Sequence, residues 1–353
     1  MSPLSLFVPP HPALRASVVV PARDEADRLP GLVAALGALG RPDGWGEGSV
    51  EALVLLNNCR DGSVEVAHTL AADRPWLRVG VVELAPAEAH VGRARQLVAD
   101  AAGARLLALG RPDGLILSTD ADSRPEPSWL RETTAEVARG AGAVCGRIGL
   151  DAGERAALAP GVRRSYLLDL GYRRAVERLR HLYAPDAHDP YPRHHQHYGA
   201  SFAVRADAYA RAGGLPPVRT SEDVALYRAL VAADVPVRHS DRVRVRTSAR
   251  SVGRAEGGLA DAFAFWAREA AAGREPTVEP AADAEARLAA LGLWRAERDD
   301  PAPDALTTTP DGGQPITAAI ADLRARAERL TGLSLAERLD HARRLAPAVP
   351  LAA

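Results

Sequence analysis

The alternation of strand-like and helix-like segments over the first 150 residues restricts the fold of this chain more than any other feature of its sequence. Apolar, β-branched runs occupy 16–22, 51–58, 77–84 and 114–122, and the segments after the first three carry leucine and alanine at helical spacing. Strands that alternate with helices of this length form parallel βαβ units. The pattern therefore predicts an α/β fold with a doubly wound sheet in this half.

The second half of the chain follows a different pattern. An Arg-rich amphipathic stretch at 161–182 predicts a long helix, and the Pro-, His- and Tyr-rich residues 183–199 predict a long loop, which is typical of a functional or a disordered segment. A short strand follows in "ASFAVR", then a helix with Ser221 as its predicted N-cap and an alternating strand at 235–250. These segments add further strands and helices to the alternating half.

The division of the chain into domains follows from these patterns. Beyond about residue 255 the sequence is helical in pattern, and a Pro-, Asp- and Thr-rich linker interrupts it at 299–315. A chain of 353 residues can hold one large domain with an appendage. We therefore predict one large domain at 1–252 and a helical C-terminal extension at 253–353.

The charge composition excludes several functions. Acids and bases are interspersed and sum to a net charge of -1, so we expect no nucleic-acid partner, since such a partner requires a basic surface. All 44 basic residues are arginine, and this excludes Schiff-base chemistry on lysine and a P-loop lysine. The bias towards arginine and alanine is typical of a genome rich in G and C, and we expect a bacterial source.

The apolar segments indicate a soluble protein. No run approaches the roughly 18 apolar residues of a transmembrane helix. The first residues lack a basic region and contain prolines, so we expect no secretory signal and a cytoplasmic location. The two cysteines, Cys59 and Cys145, are too few for a disulfide framework or a zinc cluster. Whether the chain forms a homodimer stays open.

Two acids follow the fourth apolar run. Asp120 and Asp122 are separated only by Ala121, at the type of strand end where parallel sheets bind ligands. Two neighbouring carboxylates raise the pKa of one another unless a cation lies between them. Hard oxygen ligands without a nearby cysteine favour Mg²⁺ or Mn²⁺. The alternative is an acidic strand end that only caps a turn.

Four segments in a fixed order carry a resemblance to a known family. "PARDEADRLPGLVAAL", "LLNNCRDGSVEVA", "GRARQLVADAAG" and "DAD" resemble family 2 glycosyltransferases of the GT-A fold, a Rossmann-like α/β fold with a mixed sheet. The resemblance implies a nucleoside diphosphate sugar as donor and a metal on its diphosphate. It implies that Asp122 binds the metal directly, with Asp120 on the ribose or on a metal-bound water. The donor-binding residues that it implies are Pro21, Ala22, Arg23, Glu25, Asn57, Asn58, Arg93, Arg95, Asp120 and Ala121.

The resemblance extends to the acceptor side. "HYGASFAVRADAYARAGGLP" resembles the acceptor segment of the family, and "TSED" resembles its E-D motif at a helix start. It implies that Asp223 is the base that activates the acceptor hydroxyl, with Glu222 supporting it or contacting the acceptor. A base opposite the leaving diphosphate would invert the anomeric centre. The alternative is that both acids only interact with the helix dipole.

One segment departs from the family pattern. Related enzymes often place a third metal ligand, a histidine, after the last core strand, where this chain reads "VRVRTSARSVGRAEGG". Thr247 or Ser248, or the diphosphate and water, would then complete the metal shell. Arg250 and Arg254 offer bidentate guanidinium groups to the diphosphate, although an exposed Arg-rich loop is an equal alternative.

The histidine-rich loop is the last candidate. "HHQH" at 194–197 has too few ligands for a zinc site, so we predict a mobile flap over the acceptor. An ordinary surface loop is the alternative. The predicted acceptor-side residues are His195, His197, Tyr198, Gly199 and Ala200.

Together these features predict metal-dependent transfer of a hexose from a nucleoside diphosphate sugar, UDP-linked as is commonest in the family, to a hydroxyl of a small or lipid-like acceptor, with inversion. Two alternatives are a catalytically inactive nucleotide-sugar-binding protein and a sugar-phosphate nucleotidyltransferase, although the Gly- and Lys-bearing signature of the latter is missing. The sequence also lacks G-x-G-x-x-G after the first strand and a G-x-S-x-G elbow. Dinucleotide oxidoreductases and α/β-hydrolases are therefore set aside.

Overall fold

The computed structural model describes residues 6–216, 218–250, 258–298, 302 and 312–345. Their contacts divide the chain into two compact units. The first unit draws on residues 1–154 and 196–258, and the second on residues 155–195 and 259–353.

The first unit is built on an eight-stranded mixed sheet. Its strands are β1 Ala16–Ala22, β2 Val50–Asn57, β3 Leu77–Val82, β4 Leu115–Ser118, β5 Ser123–Pro125, β6 Ala143–Leu150, β7 Phe202–Arg205 and β8 Val237–Thr247, in the order β3-β2-β1-β4-β7-β6-β8-β5. The first four are parallel to one another, and β6 is parallel to β8. β7 is antiparallel to β4 and β6, and β5 is antiparallel to β8. The predicted mixed α/β fold is confirmed.

Twelve α-helices lie in the described residues. They are α1 Leu29–Gly37, α2 Ser63–Ala71, α3 Val91–Ala108, α4 Trp129–Ala138, α5 Ala152–Ala157, α6 Pro160–Tyr183, α7 Ala206–Arg211, α8 Glu222–Ala232, α9 Leu259–Ala271, α10 Ala281–Glu297, α11 Ile316–Leu330 and α12 Leu335–Leu345. Within the described ranges, none of these helices combines the length and the apolar character that crossing a membrane requires.

Strand β1 shows why the sequence of the first unit reads as continuous apolar runs. Val18 and Val20 pack into the core on one face of the sheet, and Val19 packs into the core on the other face. Both faces of the parallel strands are therefore buried, which removes the polar alternation of a half-exposed strand. The run that was predicted as a strand at 114–122 is a strand only to Ser118, so Asp120 and Asp122 lie in the loop that follows it.

The second unit is a helical bundle that includes α6. Leu179 and Tyr183 of α6 share one apolar core with Leu288 of α10 and Leu323 of α11. Residues 155–195 therefore group with the C-terminal helices, whereas the boundary predicted at 252 placed them in the first domain. The helical period of α6 marks its apolar face but does not say which partner covers that face. Of the predicted linker at 299–315, most residues lie outside the described ranges, and Gln314–Pro315 forms β10, which pairs with β9 Thr277–Val278.

Buried charge fixes α3 against the sheet of the first unit. Arg105 on α3 is 1% exposed and donates from Nε and Nη2 to the two carboxylate oxygens of Glu51 on β2, at 2.9 and 2.6 Å. Ser17 Oγ on β1 donates to the same carboxylate at 2.8 Å, and Arg105 Nη1 donates to the Val8 carbonyl at 2.6 Å. Each nitrogen of the guanidinium and each oxygen of the carboxylate thus has a hydrogen-bond partner in the interior.

We expect Arg105→Met to lower the free energy of unfolding by about 3–5 kcal/mol, because it leaves the Glu51 carboxylate buried without its cation. The double variant Arg105→Met/Glu51→Leu should recover most of this loss, since it removes both charges. Urea unfolding followed by circular dichroism measures both values. A double variant at least as unstable as Arg105→Met would contradict this account of the pair.

Candidate active site

The carboxyl ends of three parallel strands meet at one edge of the sheet in the first unit. β1 pairs in parallel with both β2 and β4, so Ala22, Asn57 and the loop after Ser118 lie at that edge. This is where open α/β sheets bind their ligands. Pro21 and Ala22 end β1 as predicted, and Asn57, 3% exposed, ends β2.

The loops after β1 and β2 hold one another in place. Asp24 and Asn58 take φ values of 52° and 51°, a left-handed conformation that Asp and Asn tolerate better than most residues. The Arg60 amide donates to Asp24 Oδ1 at 2.6 Å, and the Glu25 amide donates to Ser63 Oγ at 2.7 Å. These bonds place the Glu25 carboxylate at the sheet edge. Glu25 as a whole is 6% exposed.

Three other predicted donor residues bond to nearby backbone or side chains. Asn58 binds both the amide and the carbonyl of Leu84, at 3.1 and 2.9 Å, and so ties the β2 loop to the segment after β3. Arg23 donates to the Ala89 carbonyl at 3.1 Å, and Arg93 donates to Gln96 Oε1 at 2.7 Å. A donor role for these side chains stays a prediction.

The structure also contains a cluster that the sequence did not suggest. One ligand atom each of Asp24, Cys59 and Asp61 lies within 4.8 Å of the others, close enough to share a metal ion. Burial raises the pKa of the Cys59 thiol, and the two acids add to this effect. Asp61 accepts hydrogen bonds from the amides of Ala26 and Ser63, at 3.1 and 2.9 Å. The cluster therefore already serves to close the two loops on each other.

The side chain of Arg95 contacts two of the predicted site acids, Asp120 on the donor side and Glu222 on the catalytic side. Its guanidinium, 6% exposed, donates from Nη2 to Asp120 Oδ1 and from Nε to Glu222 Oε1, both at 2.8 Å. Nη1 donates to Ser118 Oγ at 2.7 Å and to the Gly199 carbonyl at 3.2 Å. Burial alone lowers the pKa of Arg95, but the carboxylates of Asp120 and Glu222 outweigh it and raise the pKa. Arg95 was predicted to contact the base or a phosphate, and in the structure its bonds go to protein groups.

Gly199 has to be small because of this guanidinium. A Cβ atom on Gly199 would lie 2.5 Å from Arg95 Cζ, well inside van der Waals contact. Gly199 opens a short 3₁₀ turn, Gly199–Ser201, that precedes β7. The turn therefore approaches Arg95 closely enough for its carbonyl to accept a bond.

Asp223 lies beside this network and is partly buried. Its Oδ2 accepts a bond from the Gly199 amide at 2.8 Å, and its Oδ1 accepts from the Val224 amide at 2.8 Å. Burial raises the pKa of the Asp223 carboxyl, and the negative charge of Glu222 raises it further. A small cavity next to Asp223 and Arg95 is lined mainly by apolar side chains, among them Val19, Ala99 and Leu226. The carboxylate is thus basic for an aspartate, as a general base requires.

The start of α8 differs from the prediction in one detail. Ser221 was predicted to cap this helix, but its φ is 57° and its side chain makes no capping bond. The left-handed turn at Ser221 instead directs the chain so that Glu222 and Asp223 begin the helix. The sequence showed a serine before two acids but not the backbone angle.

Asp122 lies among oxygen and nitrogen donors from the end of β8. Ser248 Oγ donates to Asp122 Oδ2 at 2.7 Å, and Thr247 Oγ1 lies 3.4 Å from Asp122 Oδ1. Arg250 Nη2 is 3.1 Å from Asp122 Oδ2, and Arg250 Nη1 donates to Glu25 Oε1 at 2.8 Å. The structure thus brings Thr247, Ser248 and Arg250 to Asp122, and Arg254 lies outside the described residues.

The predicted acceptor-side residues fall in both units. His195 belongs to the second unit, whereas His197, Tyr198, Gly199 and Ala200 belong to the first. His197 stacks on Tyr227 with ring centroids 4.2 Å apart, and Tyr198 is 38% exposed. In the second unit, Arg193 of the same loop is buried and pairs with Glu177 and Asp189. The loop is therefore anchored at Arg193, and a flap over the acceptor stays a prediction.

Comparison with known families decides the identity of this arrangement. The family described as Glycosyl transferase family 2 matches residues 17–205, which is more than half of the chain. The chain belongs to this family. It is therefore a glycosyltransferase, with the GT-A fold class that the four segments predicted, and the nucleotidyltransferase alternative is set aside.

Several solved glycosyltransferases resemble this family 2 member. A mannosyltransferase from Pyrobaculum calidifontis, in complex with GDP-Man and Mn²⁺, is 18% identical, with 97% of this chain and 84% of that chain covered and a TM-score of 0.45. TarS 1-349 from S. aureus, in complex with UDP, is 12% identical, with 94% and 72% covered and a TM-score of 0.47.

A third structure is glucosyl-3-phosphoglycerate synthase from Mycobacterium tuberculosis, in complex with Mn²⁺, UDP-glucose and phosphoglyceric acid. It is 17% identical, with 67% of this chain and 72% of that chain covered and a TM-score of 0.39. Comparison of this glycosyltransferase with curated proteins gives no match.

For this glycosyltransferase we expect Arg95→Gln to lower the free energy of unfolding by about 3–5 kcal/mol, because it leaves Glu222 and part of Asp120 buried without a cation. Arg93→Gln, two residues earlier on α3 and one-third exposed, should change it by less than about 0.5 kcal/mol. Urea unfolding of the two variants measures the difference. Equal effects of the two substitutions would contradict a stabilising role for the buried contacts of Arg95 with Asp120 and Glu222.

Proposed function

We propose that the protein transfers a hexose from a nucleoside diphosphate sugar, a UDP sugar in the first instance, to a hydroxyl group of a small or lipid-like acceptor, with inversion and with Mg²⁺ or Mn²⁺ bound. The observation that carries the proposal is the Arg95 network. It joins Asp120, at the predicted donor side, to the Glu222–Asp223 pair, at the predicted acceptor side. One set of buried contacts thereby positions both the predicted donor side and the predicted base.

The charges of this site favour a divalent cation. Five carboxylates, of Glu25, Asp120, Asp122, Glu222 and Asp223, lie close to two guanidinium groups, of Arg95 and Arg250, and outnumber them. A diphosphate brings further negative charge to such a site. A divalent cation between the two would remove the repulsion.

The residues at Asp122 fit a hard cation. The hydroxyl groups of Thr247 and Ser248 lie at the Asp122 carboxylate, and the predicted second ligand, Asp120, is also a carboxylate. Such oxygen ligands suit Mg²⁺ or Mn²⁺. We propose Asp122 as the direct ligand. When bound, the ion would neutralise charge that develops on the leaving diphosphate.

Asp223 supplies the base of the proposed reaction. Its raised pKa lets the carboxylate accept the proton of the acceptor hydroxyl more readily than an ordinary aspartate does. The acceptor oxygen then forms the bond to the anomeric carbon, and the bond from that carbon to the diphosphate oxygen breaks. A single in-line displacement inverts the anomeric centre. Glu222 is bound to Arg95 and therefore supports Asp223 rather than taking the proton itself.

Substitution of Asp122 should affect donor binding, whereas substitution of Asp223 should affect turnover. In the wild type, UDP at about 100 times its Kd with Mn²⁺ should add about 2.7 kcal/mol to stability and raise the unfolding temperature. Asp122→Asn should lose the part of this gain that depends on Mn²⁺. Asp223→Asn should keep the gain but lower the rate of transfer or donor hydrolysis by about 10²–10⁴-fold.

Thermal unfolding with UDP, GDP and their sugars, each with Mn²⁺ or EDTA, and a donor-hydrolysis assay measure these effects. Asp73→Asn, at a side chain that is 76% exposed and paired with Arg74, is the matched control and should behave as the wild type. A wild type that no nucleotide stabilises in a metal-dependent way would sink the proposal. Stabilisation without hydrolysis or transfer would support the inactive binding protein instead.

The pH dependence tests Asp223 as the base. The pKa of its carboxyl is raised above the ordinary value of 3.8 by burial, and the base acts only when ionised. The acid limb of the kcat profile should therefore lie higher than an ordinary aspartate would give, and it should disappear in the residual activity of Asp223→Asn. A pH-rate profile of both proteins measures this.

The same shift has a consequence for stability. A carboxyl whose pKa is higher in the folded state stabilises the fold only while it is protonated, and this contribution is lost as pH rises through the folded pKa. At neutral pH, Asp223→Asn should therefore be at least as stable as the wild type, and the difference should shrink on acidification. Glu222→Gln should be less stable than the wild type at neutral pH, because Arg95 loses a carboxylate. Equal losses in the two variants, in urea unfolding at pH 7, would contradict the shift at Asp223.

A further inference from the structure

Arg250 lies where two acids of the proposed donor site converge. Its guanidinium, 28% exposed, contacts Asp122 Oδ2 at 3.1 Å through Nη2 and Glu25 Oε1 at 2.8 Å through Nη1. Both carboxylates are more deeply buried than the arginine, with side chains 9% and 6% exposed. Asp120 is near enough for its charge to act on the same guanidinium. One protein cation therefore spans the acid of the β1 loop and the acids of the β4 loop.

Protein groups contact both oxygens of the Asp122 carboxylate in this arrangement. Ser248 and Arg250 both approach Oδ2, and Thr247 lies near Oδ1. A divalent ion that takes Asp122 as its ligand competes with the guanidinium for the same oxygen. The two positive charges would also repel each other at short range, and more strongly in a partly buried site than in water.

We propose that Arg250 is a latch that takes the place of the metal in the donor-free protein. It holds Asp122 and Glu25 together, and the metal–donor complex displaces it from Asp122. The released guanidinium then binds the diphosphate, whose oxygens match its bidentate geometry. This inference rests on the proposed function, since it takes Asp122 as the metal ligand.

The latch predicts that metal and donor bind cooperatively. Metal alone has to break the contact between Arg250 and Asp122 without a new anion for the guanidinium. When metal and a nucleoside diphosphate bind together, Asp122 exchanges Arg250 for the metal, and Arg250 exchanges Asp122 for the diphosphate. The two ligands are then coupled through one side chain, and a coupling of this kind is commonly 5–150-fold in affinity.

The test compares Arg250→Gln with Arg246→Gln. Arg246 is the matched control because it lies four residues earlier on β8, is 44% exposed and pairs with Glu126 instead. Mn²⁺ binding without nucleotide is measured by electron paramagnetic resonance of the free ion, and UDP binding is measured calorimetrically with Mn²⁺ and in EDTA. Arg250→Gln should bind Mn²⁺ alone about tenfold more tightly and UDP with Mn²⁺ about tenfold more weakly. Arg246→Gln should change neither.

A second measurement needs no metal. In EDTA, the shifts of the urea midpoint caused by Arg250→Gln and Asp122→Asn should not add, and the double variant should be less destabilised than their sum. Additive shifts overturn the latch. Unchanged or weaker binding of Mn²⁺ alone to Arg250→Gln also overturns the latch. Loss of UDP binding by Arg250→Gln in EDTA overturns it as well, because Arg250 would then replace the metal permanently. A wild type whose UDP affinity is the same with Mn²⁺ and in EDTA contradicts the proposed metal dependence instead.

Discussion

The buried guanidinium of Arg95 is the interaction on which the site depends. A guanidinium that is 6% exposed is costly unless carboxylates and other acceptors surround it. Asp120 and Glu222 meet this requirement although they lie 25 and 127 residues away in the chain. Arg95 therefore fixes the loop after β4 and the start of α8 relative to each other. A single buried guanidinium thus positions two segments that belong to different strands and helices.

This arrangement gives the acids different roles. Asp120 and Glu222 share Arg95, and Asp122 and Glu25 share Arg250. Asp223 instead accepts bonds from two backbone amides and lies beside an apolar cavity. Five similar carboxylates are thus divided by their partners, and the one whose environment raises its pKa is the one suited to accept a proton.

Local patterns predicted six of the eight strands of the first unit and the positions of the acids, because period and turn chemistry are properties of neighbouring residues. β5 and β6 were not predicted. β1 lies where the apolar run predicted it, and the acids of "DAD" follow β4. The pairing of Arg95 with Glu222 was out of reach, since nothing local connects residues 127 apart. The covering of α6 by the C-terminal helices and the cluster of Asp24, Cys59 and Asp61 were missed for the same reason.

The chain has arginine but no lysine, and two bridges in the site depend on the geometry of the arginine side chain. Arg95 uses Nε, Nη1 and Nη2 to reach Glu222, Ser118 with the Gly199 carbonyl, and Asp120, in directions fixed by one planar group. A lysine ammonium offers three donors around one atom and could not span these acceptors from a single position. Arg250 uses two nitrogens in the same way to bridge Glu25 and Asp122. Both bridges need a forked cation, so the site depends on the geometry of arginine as well as on its charge.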